Sequence, residues 1–188
     1  MRKIYIVLTY TGTILSKIIK IYTKDEFSHV SIALDEELKH MYSFGRLNPY
    51  NPFFGGFVHE HINAGTFKRF KKTRTAIYSL EVDDDEYEKI QATIKKIQQA
   101  EKPYRFNVLG LFAVALKLKI QKKNSFYCAE FVKYSLENSG IETNLPIVIR
   151  PDNFKLLKNL KLEYEGKLRD YNNLLRVNWN QYRSRVYE

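Results

Sequence analysis

The sequence predicts an α+β protein. Short segments with apolar residues at every second position stand beside longer segments with apolar residues three and four apart. They do not alternate as regular βαβ units, so strands and helices should segregate rather than form a parallel sheet.

Residues 3–9, rich in Ile, Val and Tyr, read as the first strand. The run is short, no small-residue cleavage site follows, and Lys17 and Lys20 come soon after, so it reads as a buried strand and not an export signal. Thr11-Gly12-Thr13 is a turn. Ile14 to Tyr22 carries apolar residues at 14, 15, 18, 19 and 22, one face of a helix. Val30 to Leu34 is an apolar strand, Asp35-Glu36-Glu37 a polar turn, and Lys39 to Phe44 the returning strand of a hairpin. Pro49, Pro52 and Gly55-Gly56 predict a loop, before a short strand at Phe57–Ile62. Thr75 to Val82 alternates as a strand. Asp83-Asp84-Asp85-Glu86 opens a helix, where acidic side chains suit the positive end of the dipole. Pro103 ends that region, and Val108 to Ile120 reads as a more apolar helix. A further helix carries Cys128, with Asn124 or Ser125 as its cap and Ser139-Gly140 as its stop. Pro146 to Ile149 is extended. Pro151 suits the first turn of a helix running to Asn159, and Leu160 to Tyr164 forms a final strand. No element is assigned to Arg176–Glu188.

The chain has 188 residues, 44% of them apolar, enough for one domain over 1–188 with a buried core and no staples. Residues 165–188 read as a peripheral C-terminal extension. The single cysteine excludes an internal disulfide and a cysteine-built zinc site, and fits a reducing, cytoplasmic setting. No apolar stretch approaches the ~20 residues of a membrane span. The net charge of +10 permits anionic partners, but the basic residues are spread out apart from Lys68-Arg69-Phe70-Lys71-Lys72 and Gln121-Lys122-Lys123. No zinc-finger spacing or Gly-rich phosphate loop accompanies them, so no specific nucleic-acid partner is expected.

The chemistry centres on Cys128, in Ser125-Phe126-Tyr127-Cys128-Ala129-Glu130-Phe131-Val132. A thiol at a helix start is favoured as thiolate by the free N–H groups and the dipole. Such a cysteine, with a histidine elsewhere in the chain, is a candidate nucleophile. Of the four histidines, His29 begins an apolar strand, which can hold an imidazole in a fixed orientation. His40 lies in the polar part of the hairpin. His59 and His61, at i and i+2, share a strand face but lack an evident third metal ligand, so no metal site is expected. A third polar group commonly orients the histidine. Ser43, on the strand after His29, is one candidate and the Glu60 carboxylate is the alternative.

Four segments in this order are Ser28-His29-Val30-Ser31-Ile32-Ala33-Leu34, Met41-Tyr42-Ser43-Phe44-Gly45, Phe126-Tyr127-Cys128-Ala129-Glu130-Phe131-Val132 and Ile149-Arg150-Pro151-Asp152-Asn153-Phe154. Together they resemble the circularly permuted NlpC-type papain-like cysteine peptidases, a superfamily that also contains the lecithin:retinol acyltransferase-like enzymes. In its permuted members the histidine strand precedes the cysteine helix, as here. The resemblance implies a permuted papain-like fold, a small antiparallel sheet or barrel packed against helices. It implies Cys128 as nucleophile and His29 as general base. The third family position falls on Ser43, a departure from the usual His, Glu or other acceptor, with Glu60 as substitute. It also implies a tyrosine near the oxyanion site, for which Tyr10 and Tyr127 are both candidates.

The expected activity is hydrolysis of amide or peptide bonds, cell-wall-type peptides among them, with no cofactor. A thioesterase or lipid acyltransferase on the same site is an alternative, since hydrolysis and acyl transfer differ only in the final acceptor. A non-catalytic binding module that keeps the fold is another, for which the weakly orienting Ser43 is the main argument. The oligomeric state is left open.

Overall fold

A computed structural model describes residues 1–48, 51–107, 110 and 124–175. In chain order the elements are β1 (Arg2–Tyr10), α1 (Ile14–Thr23), β2 (His29–Ala33), β3 (Met41–Asn48), β4 (Asn51–Glu60), α2 (Gly65–Arg69), β5 (Arg74–Val82), α3 (Asp84–Gln98), β6 (Arg105–Phe106), β7 (Ser125–Phe126), α4 (Cys128–Asn138), a 3-10 turn (Pro151–Leu156) and β8 (Lys161–Lys167). Residues 168–175 are helical. The fold is α+β, with a mixed sheet of eight strands among the described residues, ordered β7-β6-β4-β3-β2-β1-β5-β8. Every neighbouring pair is antiparallel except β6 and β7.

Period-two alternation in β1 sorts the core into two layers. Ile4, Ile6 and Leu8 point to one face, where Ile90 and Ile94 of α3 and Phe131, Val132 and Leu136 of α4 cover them. Tyr5 and Val7 point to the other, against Ala33, Met41 and Ile77, closed over by Phe67, Leu168 and Tyr171. This central strand is buried on both sides, which is why it reads as a continuous apolar run.

The helix ends follow from their capping chemistry. Thr13 caps α1, its hydroxyl accepting from the Ser16 N–H at 3.2 Å. Asp83 caps α3 in a reciprocal box: its carboxylate accepts from the Glu86 N–H at 2.7 Å, and the Glu86 carboxylate accepts from the Asp83 N–H at 2.9 Å.

Several expectations need correction. The loop placed around Pro52 and Gly55-Gly56 is instead strand from Asn51 onward, ending at Glu60 rather than Ile62. The glycines are there for space: a Cβ on Gly55 would stand 2.7 Å from the Gly45 carbonyl oxygen and 2.9 Å from the Phe106 ring. The cap of α4 is Tyr127, not Asn124 or Ser125, because Ser125 and Phe126 extend to pair with β6. Glu130 accepts from the Tyr127 N–H at 3.1 Å and so supplies the capping bond. The segment from Pro151 is a short 3-10 turn ending at Leu156. Residues 165–167 complete β8, and Leu168 and Tyr171 are buried, so this part of the expected extension belongs to the core. The predicted Val108–Ile120 helix, apart from Gly110, and the segment from Arg176 lie outside the described residues.

Candidate functional site

The end of β2 brings His29 to a cleft that Cys128 and Glu60 also line. β3 and β4 pair with Met41 opposite Glu60 and Ser43 opposite Val58, so Glu60 and Ser43 project from the same sheet face. His59, one residue earlier, projects the other way and stacks on Tyr42, ring centroids 4.7 Å apart.

His29 Nε2 lies 3.0 Å from Glu60 Oε1 and 3.2 Å from Ser43 Oγ. Both neighbours are acceptors here. The Glu60 oxygen accepts from the ring, and the Ser43 hydroxyl donates to the Val30 carbonyl at 3.3 Å. Nε2 therefore carries the hydrogen, and in the neutral ring Nδ1 keeps the lone pair. The second carboxylate oxygen, Glu60 Oε2, accepts from the Ser31 hydroxyl. Ser31 was not singled out from sequence; its signal is its place two residues after His29 on the same strand face.

The electrostatics favour a charged ring. Burial works against the proton on His29. The charge of Glu60, hydrogen bonding to Cys128 and to Glu60, and the electrostatic influence of Cys128 outweigh it, and the pKa is pushed up to about 10. The ring is mostly enclosed, with 20% of its side chain exposed against 10% for Glu60. Gly45 lies beside the pair: a Cβ there would sit 3.4 Å from His29 Cε1 and 3.7 Å from Glu60 Oε1.

Cys128 is buried and occupies the first position of α4, whose early N–H groups lack intrahelical acceptors. The helix start is anchored by Tyr127, whose hydroxyl donates to the Ile149 carbonyl at 2.9 Å. Burial, then the charge of Glu130, pushes that phenol well above its ordinary pKa, so it stays a donor. The Tyr127 hydroxyl is thus committed to the backbone. Tyr10 does not line the cleft and packs beneath the Lys20 ammonium, 4.8 Å from its ring centre.

The Ile149–Phe154 segment holds the other half of the site. The Asp152 carboxylate accepts from the backbone N–H groups of Glu26 and Phe27 at 2.7 and 3.2 Å, just ahead of His29. Arg150 donates to the Thr23 carbonyl at 2.9 Å and pairs with Asp25 at 3.1 Å.

His59 and His61 have ring centroids 4.3 Å apart, and His59 Nε2 donates to the Lys39 carbonyl at 2.8 Å. Among the described residues no group of three His, Cys, Asp or Glu side chains assembles as a metal site, and no helix is long and apolar enough to cross a membrane. In comparison with known proteins, no family model and no curated sequence matches this chain.

Proposed function

We propose that this protein is a cysteine hydrolase of amide or peptide bonds, built on a permuted papain-like fold, with Cys128 as nucleophile, His29 as acid–base and Glu60 as orienting carboxylate. The observation that carries the reading is His29 itself. Its Nε2 is held by Glu60 and Ser43, and Cys128 lines the same cleft. With Nε2 so engaged, Nδ1 is the ring nitrogen that exchanges a proton with the thiol.

The chemistry follows from these positions. At rest the Cys128 proton already sits on His29, and Glu60 stabilises that imidazolium beside the thiolate. The thiolate sulfur attacks the acyl carbonyl, and the electron pair displaced to oxygen is received by N–H groups at the start of α4. His29 returns its proton to the leaving amine as the C–N bond breaks. Water then attacks the thioester, giving its proton to His29, and the acid is released as the C–S bond breaks. Glu60 also weakens the argument for a non-catalytic module, which rested on Ser43 as a poor orienter.

The test is alkylation of Cys128 by iodoacetamide at pH 6. The expected result is labelling faster than that of free cysteine and suppressed in His29→Ala. A rate equal to free cysteine would overturn the activated-thiolate reading. A panel of peptide, ester and thioester substrates, run against Cys128→Ser, then gives the bond cleaved.

A further inference from the structure

The cleft that holds Cys128 and His29 also holds a cation that the proposed bond cleavage does not use. Arg46 follows Gly45 on β3 and lines this cleft together with Thr11, Thr13, Ser16 and Thr66. Its guanidinium meets the Thr13 hydroxyl at 3.5 Å and lies 5.6 Å from the Phe70 ring centre. Among the described residues it forms no ion pair with a carboxylate, although Glu60 lines the same cleft and is engaged by His29 and Ser31.

We propose that Arg46 is a specificity-determining residue that receives an anionic group, carboxylate or phosphate, on the substrate cleaved at Cys128. The proposal rests on the hydrolase reading for the location of the reacting atom. Guanidinium suits both anions through its planar fork of donors, and a partly enclosed cleft strengthens the pairing relative to bulk water. The surrounding hydroxyls of Thr11, Thr13 and Thr66 add neutral hydrogen-bonding groups without a competing negative charge. Burial, and then the neighbouring cation Arg69, lowers the proton affinity of Arg46, a cost that a bound anion would offset.

Methanethiosulfonate reagents test this on the full chain. The Cys128 thiolate attacks the sulfenyl sulfur of the reagent's thiosulfonate, a new S–S bond forms to the substituted ethylthio group, and methanesulfinate leaves as the S–SO2 bond breaks. The rate for the anionic sulfonatoethyl reagent is divided by that for the cationic trimethylammonioethyl reagent, and the ratio is normalised to free cysteine. This cancels the intrinsic reactivity of the thiolate. The expected normalised ratio is about tenfold or more in favour of the anion, as one strong charge pairing gives. It should fall towards one in Arg46→Gln and be partly kept in Arg46→Lys. Succinate and inorganic phosphate, tried as protectants against the neutral methyl reagent, report which anion the cleft prefers.

A wild-type ratio near one, or a preference unchanged in Arg46→Gln, would overturn the anion site. Failure of the hydrolase reading appears separately, as a neutral-reagent rate at pH 6 no greater than that of free cysteine.

Discussion

The Tyr127 hydroxyl donates its 2.9 Å hydrogen bond to the carbonyl of Ile149, three residues before Asp152 caps the chain leading into His29. One short segment thus grips both halves of the site: the start of the Cys128 helix through Ile149, and the approach to β2 through Asp152 and Arg150. Cys128 and His29 come from distant parts of the sequence, so their mutual placement depends on such cross-links as well as on the sheet.

Removing the Asp152 carboxylate should therefore loosen the His29 end of the cleft. Asp152→Ala leaves the Glu26 and Phe27 N–H groups without their charged acceptor. The expected cost is about 1.5–3 kcal/mol of stability. Cys128 alkylation at pH 6 should slow as well. Denaturant midpoints and labelling rates on the same samples check both, and unchanged labelling would remove Asp152 from any role in positioning the site.

Glu60 and Ser43 should separate in their effects on His29. Glu60→Gln removes the largest upward influence on the imidazole, so the ring should lose its proton at lower pH and hold the thiolate less well. Each pKa unit lost is about 1.4 kcal/mol, or tenfold in the imidazolium equilibrium. Ser43→Ala removes only a neutral acceptor at 3.2 Å and should cost less. Labelling rates across pH decide the matter: an alkaline limb that moves to lower pH in Glu60→Gln and stays near wild type in Ser43→Ala is expected. Equal shifts would make the serine the true orienter.

The contrast between those two residues shows what the sequence could convey. Alternation within a strand assigns faces, so Ser43 could be placed on the face opposite Tyr42 and Phe44. Whether Glu60 reaches His29 depends on the register of β4 against β3, set by pairing across the sheet. Period alone cannot supply that. The cap of α4 was missed for the same reason. Asn124 and Ser125 are good caps locally, but Ser125 and Phe126 pair with β6, a two-residue strand with no periodic signature of its own. In β4 the glycines and Pro52 spoke for a loop, while crowding by Phe106 and the β3 backbone demands glycine inside a strand. The long amphipathic and apolar segments, β1, α1, β5 and α3, needed no such partners to be recognised.

Gly55 tests that crowding directly. In Gly55→Ala the new methyl would meet the Gly45 carbonyl oxygen at 2.7 Å and the Phe106 ring at 2.9 Å. Backbone and an aromatic ring yield little, so overpacking of about 1–3 kcal/mol is expected. Gly45→Ala brings its methyl only to ordinary contact, 3.4 Å from His29 Cε1, and should be milder for stability. Thermal unfolding of the two variants side by side checks the order, and a Gly45→Ala loss larger than that of Gly55→Ala would contradict it.

The pH dependence of stability carries the same signature as the site. The folded-state pKa of His29, pushed up to about 10, exceeds the roughly 6.5 of an unperturbed histidine. A raised pKa means that the folded protein holds the proton more tightly than the unfolded chain. The stabilisation is therefore fully present below about pH 6.5 and is lost as the pH rises through about 10. Glu60→Gln shrinks the shift, so wild type should exceed this variant in melting temperature most clearly near pH 6. The gap should close towards pH 10. Melting curves of both proteins at matched ionic strength measure it. A gap that widened with pH would mean that Glu60 acts on the fold through something other than the charge on His29.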